Sequence, residues 1–75
     1  MADRDQLQEI FARILLARVR QDRYPSATHM AILEQSLPPD MLDDYINVLF
    51  EKVLTDPVPS ITMLRRIQRL TQPAA

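Results

Sequence analysis

The chain has 75 residues, no cysteine, no glycine and a formal net charge of −1 at pH 7. The absence of glycine argues against P-loop and dinucleotide-binding folds, because their phosphate-binding loops need backbone conformations that glycine supplies. The absence of cysteine excludes disulfides and thiolate metal sites, so tight helix packing and self-association are the means left to stabilise so small a domain. The hydrophobic fraction of 47% is typical of a folded globular domain.

The pattern of apolar residues also bears on location. A membrane span needs about 20 consecutive apolar residues, and no run approaches that length. The first nine residues, MADRDQLQE, are charged and polar, unlike the apolar core of a signal peptide. We therefore predict a cytoplasmic protein that does not contact a membrane. Arginine supplies all basic residues but Lys52, which is typical of GC-rich bacterial genomes.

A first helix is predicted from about Asp3 to Asp22, with acidic residues in its first turns, where they favour the positive end of the helix dipole. Apolar residues at helical spacing predict its core face, and Leu16 is expected off that face, near the solvent side. The predicted core face consists of Leu7, Ile10, Phe11, Ile14, Leu15 and Val19.

Proline and serine separate the helices. Pro25 ends the first helix, since a residue before proline is pushed out of the α region, and Ser26 is expected to cap a second helix from Ala27 to about Leu37. Pro38 and Pro39 break the chain again, because proline is tolerated in a first helical turn.

The third helix, Pro39–Thr55, has the longest apolar pattern, and the other elements are expected to pack around it. Its apolar arc spans roughly 200°, more than the single stripe of a surface helix. A polar strip is expected to remain in water, and it comprises Asp40, Asp43, Asp44, Asn47 and Glu51. The fourth helix follows a Ser60 cap and runs from Ile61 to about Leu70, and Pro73–Ala75 is expected to fray.

The two halves of the chain share the pattern V-x-x-D-x-x-P-S-x-T at an offset of 34 residues. The pattern spans 19–28 in the first half and 53–62 in the second. We therefore predict an all-α fold of four helices, forming two helix-turn-helix hairpins related by an internal 34-residue repeat. Repeat one covers about 5–37 and repeat two about 39–71, within a single domain of residues 1–75 that ends in a flexible tail, 72–75. The period resembles that of tetratricopeptide repeats, but their Trp, Gly, Tyr and Ala landmarks are missing, which excludes that family.

The residues with catalytic or metal-binding chemistry are few. His29 is the only histidine, and a zinc site needs several nitrogen or sulfur ligands. The three aspartates near 40–44 lack the glycine-containing loop of a calcium site, and their position favours a helix-dipole role. Ser26 and Ser60 have a capping role and no base nearby in sequence. We therefore predict no enzyme activity, no catalytic residue, no metal and no cofactor.

Charge is unevenly distributed along the chain. Residues 1–33 carry a net +1, residues 34–56 a net −5 and residues 57–75 a net +3. Arg65, Arg66 and Arg69 fall within roughly 100° on the fourth helix, where they could contact a nucleic acid or an acidic partner. The low pI of about 5.6 and the single lysine favour mutual neutralisation of acidic and basic helices instead.

Three apolar residues are not accounted for by the predicted core. Leu16 and Phe50 hold equivalent places in the two repeats, and Ile32 lies on the polar side of the second helix. Together they predict an interaction surface that a second copy or another protein covers. The function predicted is a small non-catalytic interaction or adaptor module that forms a homodimer, and the alternative is a DNA-binding transcriptional regulator that uses the fourth helix.

Overall fold

The computed structural model describes residues 3–72. Within that range the chain is all-α and contains no β-strand, which confirms the predicted fold class. The elements are α1 (Arg4–Gln21), α2 (Ala27–Ser36), a 3-10 turn (Pro39–Met41), α3 (Leu42–Thr55) and α4 (Ile61–Thr71). Their bounds agree with the predicted helices to within one residue, except that the first turn of the third helix is 3-10. The predicted flexible tail lies outside the described residues apart from Gln72, which is the C-cap of α4.

The chain divides after Leu42 into two compact units. The first contains α1, α2 and the 3-10 turn, and the second contains α4 and all of α3 after its first residue. The single-domain organisation of residues 1–75 stays a prediction.

In the first unit, α1 packs against α2. Asp3 begins α1 with a capping box, since its side chain accepts from the Gln6 backbone N–H at 2.8 Å and the Gln6 side chain accepts from the Asp3 backbone N–H at 3.2 Å. The Gln8 side chain on α1 donates to the carbonyl of Ser36, the last residue of α2, at 3.1 Å. This hydrogen bond links the C-terminal end of α2 to α1. The buried residues of this unit are Ala12, Leu16, Val19, Met30, Leu33 and Met41.

The second unit buries one side of α3 and leaves the other in water. Tyr45, Val48 and Leu49 are buried on α3, and Ile67 is buried on α4. The predicted polar strip of the third helix is exposed at all five positions, which confirms its assignment to solvent. Charged and amide side chains in water keep their hydration, so the strip itself needs no cover.

Both connectors between long and short helices are five residues long and end in a serine N-cap. Ser26 Oγ accepts from the His29 backbone N–H at 2.9 Å, and Ser60 Oγ accepts from the Met63 backbone N–H at 3.3 Å. The predicted caps are therefore confirmed. None of the described residues has a positive φ, so the helices end without the left-handed residue that glycine would supply.

Burial does not follow the 34-residue offset. Leu16 is buried while Phe50 is exposed, and Phe11 is exposed while Tyr45 is buried. Equal connectors and caps therefore coexist with different environments in the two halves. The internal repeat is not confirmed as a structural repeat, and it stays a hypothesis based on the sequence.

Replacing either capping serine with alanine is expected to lower the free energy of unfolding by about 1 kcal/mol, because a helix N–H loses its partner. Urea denaturation followed by circular dichroism measures the change. Ser26→Asp and Ser60→Asp are the matched controls, since aspartate restores the acceptor. Alanine variants as stable as the wild type would contradict the capping role.

Candidate interaction surface

The outer face of α1 consists of Leu7, Ile10, Phe11 and Ile14. These spacings of three, one and three residues place all four side chains within an arc of about 100° on an α-helix. The centre of that arc lies about 160° from the mean direction of Ala12, Leu16 and Val19, the buried side of the same helix. Helix α1 is therefore apolar on two nearly opposite sides.

The four side chains of the outer face are about half exposed. Their exposed fractions are 55% for Leu7, 51% for Ile10, 46% for Phe11 and 62% for Ile14. Single exposed apolar residues are common on folded proteins, but four on consecutive turns of one helix form a continuous patch. This patch is the largest aligned group of exposed apolar side chains on any one described helix.

These positions correct the predicted core face of the first helix. Leu16 was expected near solvent, yet it is only 7% exposed, and Leu7, Ile10, Phe11 and Ile14 were expected in the core. Of the residues predicted for the core, Val19 is buried and Leu15 is half-buried. The buried side also contains Ala12, which was not among the predicted core residues. Leu16 is thus a core residue and is not accessible as part of a surface.

The other two residues of the predicted interaction surface are exposed. Ile32 is 38% exposed on α2, on the side away from the buried Met30 and Leu33. Phe50 is 42% exposed on α3, and Leu54, one turn further on, is also exposed. Asp43 and Asn47 lie on the same side of α3, so this patch is smaller and more polar than the outer face of α1.

The three arginines of α4 do not share one environment. Arg65 and Arg69 are exposed and lie about 40° apart around the helix, while Arg66 is half-buried. A half-buried arginine commonly packs the aliphatic part of its side chain against apolar neighbours. The predicted three-residue stripe is therefore reduced to two exposed arginines.

Three observations bear on a catalytic or metal site among the described residues. A shallow cavity of about 310 Å³ in the first unit is lined by Asp5, Gln8, Glu9, Pro38, Pro39 and Asp40. No group of three His, Cys, Asp or Glu within residues 3–72 is arranged to hold a metal ion. His29 Nδ1 is buried and makes no hydrogen bond to any described residue. The absence of enzyme activity and of a cofactor stays a prediction.

Helix length and hydropathy bear on the membrane prediction. None of the helices described within residues 3–72 combines the length and the apolar content that crossing a membrane requires.

Comparison with protein-family models, with curated proteins and with solved structures gives no significant match.

Leu16→Ala and Ile14→Ala test which side of α1 is the core. Leu16→Ala is expected to cost about 2–5 kcal/mol of unfolding free energy, because it empties a buried position. Ile14→Ala is expected to change stability by less than about 0.5 kcal/mol, because its side chain is already largely in water. Urea denaturation at low protein concentration measures both. Equal costs, or a greater cost for Ile14→Ala, would contradict the burial assignment.

Proposed function

We propose that this protein is a small non-catalytic helical interaction module that associates with itself. The observation that carries the proposal is the outer face of α1, where four large apolar side chains on one helix are about half exposed. This face replaces the predicted surface as the main candidate, because Leu16 is buried and Ile32 and Phe50 lie on other helices.

The size of the patch supports an interaction role. Four large apolar side chains that are about half exposed present roughly 400 Å² of surface, which is within the range of functional patches on soluble monomers. Covering this area with another protein surface removes apolar groups from water, which is favourable in proportion to the area. A chain that buries only about 60% of its unfolded surface gains proportionally more from such contact than a large protein does.

The composition of the outer face supports the same function. Asp3 and Arg18 flank it at its two ends, and no charged side chain lies between them within the arc of the four apolar residues. Interface centres are depleted in charge, while aromatic residues such as Phe11 are enriched there. An amphipathic helix that presents an apolar stripe is a common element of helix-mediated recognition.

DNA binding through α4 is the alternative function, and the exposed pair Arg65 and Arg69 is the observation in its favour. Sequence-independent phosphate binding normally requires several cationic side chains on one surface. With Arg66 half-buried and a formal net charge of −1, the charge available for such binding is small. The alternative is therefore weaker than the interaction module.

Sedimentation equilibrium of the whole chain tests self-association directly. We expect a monomer–dimer equilibrium, because an interface smaller than the usual 1,200–2,000 Å² or so is typically weak. Apolar contact also predicts that the association persists when sodium chloride is raised, since salt screens exposed charges and not apolar burial. A monomeric mass up to high micromolar concentration would contradict the proposal.

A gel-shift titration on mixed-sequence duplex DNA distinguishes the DNA-binding alternative from the interaction module. We expect no stable complex at physiological salt, and the same result for Arg65→Glu combined with Arg69→Glu. A complex that weakens steeply with salt and is lost in the double variant would instead favour the DNA-binding regulator.

A further inference from the structure

We propose that the outer face of α1 binds the same face of a second copy of this chain, with the two α1 helices antiparallel and a two-fold axis passing between Ile10 and Phe11. This inference rests on the proposed function, because it names the partner and the geometry of the self-association.

The spacing of the apolar residues is symmetric about that axis. A two-fold axis between antiparallel helices brings residues that are equally far from it along the helix to the same height, so Leu7 lies level with Ile14 of the second copy. These two lie only about 10° to either side of the centre of the face, so they meet across it. Ile10 and Phe11 lie about 50° to either side, and the axis keeps each on its own side of the contact, so Ile10 lies against Ile10 of the second copy and Phe11 against Phe11 of the second copy. Every large side chain of the face therefore meets an apolar side chain.

The charges at the two ends of the face favour the antiparallel direction. The same axis brings Asp3, the N-cap of α1, level with Arg18 of the second copy at each end of the contact. A parallel arrangement would instead bring Asp3 to Asp3 and Arg18 to Arg18, which places like charges together. Antiparallel helices also bring the positive end of each helix dipole to the negative end of the other.

The existing contacts of these two residues leave capacity for the pairing. Asp3 uses Oδ1 to cap the Gln6 backbone N–H, and a carboxylate has further acceptor sites on its second oxygen. Arg18 forms an exposed ion pair from its Nε to Asp22 at 3.5 Å, and the guanidinium has additional N–H donors. The pairing therefore adds to the existing contacts without requiring that either be broken.

The area sets the expected strength of the dimer. Roughly 400 Å² from each copy gives about 800 Å² in total, which is below the size of a standard stable interface. A reversible dimer that forms with increasing concentration follows from this area. Charge substitutions at the centre of so small an interface are expected to abolish it, because few other contacts remain.

Charge substitutions locate the interface. Ile14→Glu and Phe11→Glu are each expected to lower the association constant at least about tenfold, because a carboxylate would be buried in the apolar contact. Ile32→Glu and Phe50→Glu are the matched controls, since they place the same charge on other exposed apolar positions, and they are expected to stay within about twofold of wild type. Sedimentation equilibrium measures association, and circular dichroism verifies that each variant keeps its helices. Reduced association in the controls, with wild-type association in the α1 variants, would overturn the inference.

Engineered cysteines test the direction of the helices. The chain has no cysteine, so Leu7→Cys and Ile14→Cys introduce one thiol per copy. In the antiparallel dimer, two copies of Leu7→Cys hold their thiols about 10 Å apart along the helix axis, too far for a disulfide, as do two copies of Ile14→Cys. A mixture of the two variants brings Cys at 7 opposite Cys at 14. Oxidation of the mixture, followed by mass spectrometry of the linked peptides, should therefore give mainly the mixed disulfide.

The outcomes separate the inference from the function on which it rests. Disulfides only between identical variants would indicate parallel helices, and random linkage or none would show that no specific α1 contact forms. Each of these results overturns the antiparallel geometry. If the wild type associates but Ile14→Glu associates equally well, the α1 interface fails while the self-associating module stands. If the wild type is monomeric at every concentration, the proposed function fails as well.

Discussion

The burial of one side of α1, with an almost equally apolar side left in water, is the constraint on which the rest of the structure depends. Ala12, Leu16 and Val19 are buried, and the outer face opposite them is half exposed. A chain of 75 residues has little apolar surface with which to cover a helix on all sides. The pairing of α1 with α2 in the first unit and the surface proposed for a partner both follow from which side of α1 is covered.

The helix ends are capped by residues other than glycine. Serine N-caps begin α2 and α4, an aspartate capping box begins α1, and prolines lie in the connectors or at the start of the 3-10 turn. Each cap supplies an acceptor for an N–H that has no partner within its helix. Because these devices act over three residues, they define the elements independently of how the core is packed. The connectors of the two halves are therefore alike even though the burial of their long helices differs.

The largest exposed apolar patch and the exposed charges named above lie on different helix faces. The polar strip that includes Asp43, Asp44 and Glu51 is exposed on α3, two exposed arginines lie on α4, and the uncharged outer face lies on α1. Exposed charges favour solubility and weak, salt-dependent contacts. Burial of an uncharged apolar face gives contact that is less sensitive to salt and more dependent on shape. This distinction is the physical basis for placing the proposed self-association on α1 and not on the arginines of α4.

The sequence by itself determined the all-α class, the four helices and the serine caps, because periodicity, proline and capping residues act over a few neighbouring positions. It also identified Ile32 and Phe50 as exposed apolar residues. It did not determine which of two apolar sides of α1 is the core, and it assigned Leu16 to the surface and Phe11 to the interior. Helical spacing is the same on both sides of such a helix, so only the packing of α1 in the folded chain could decide between them. Tertiary structure likewise decided that Arg66 is half-buried and that the outer face of α1 is half exposed.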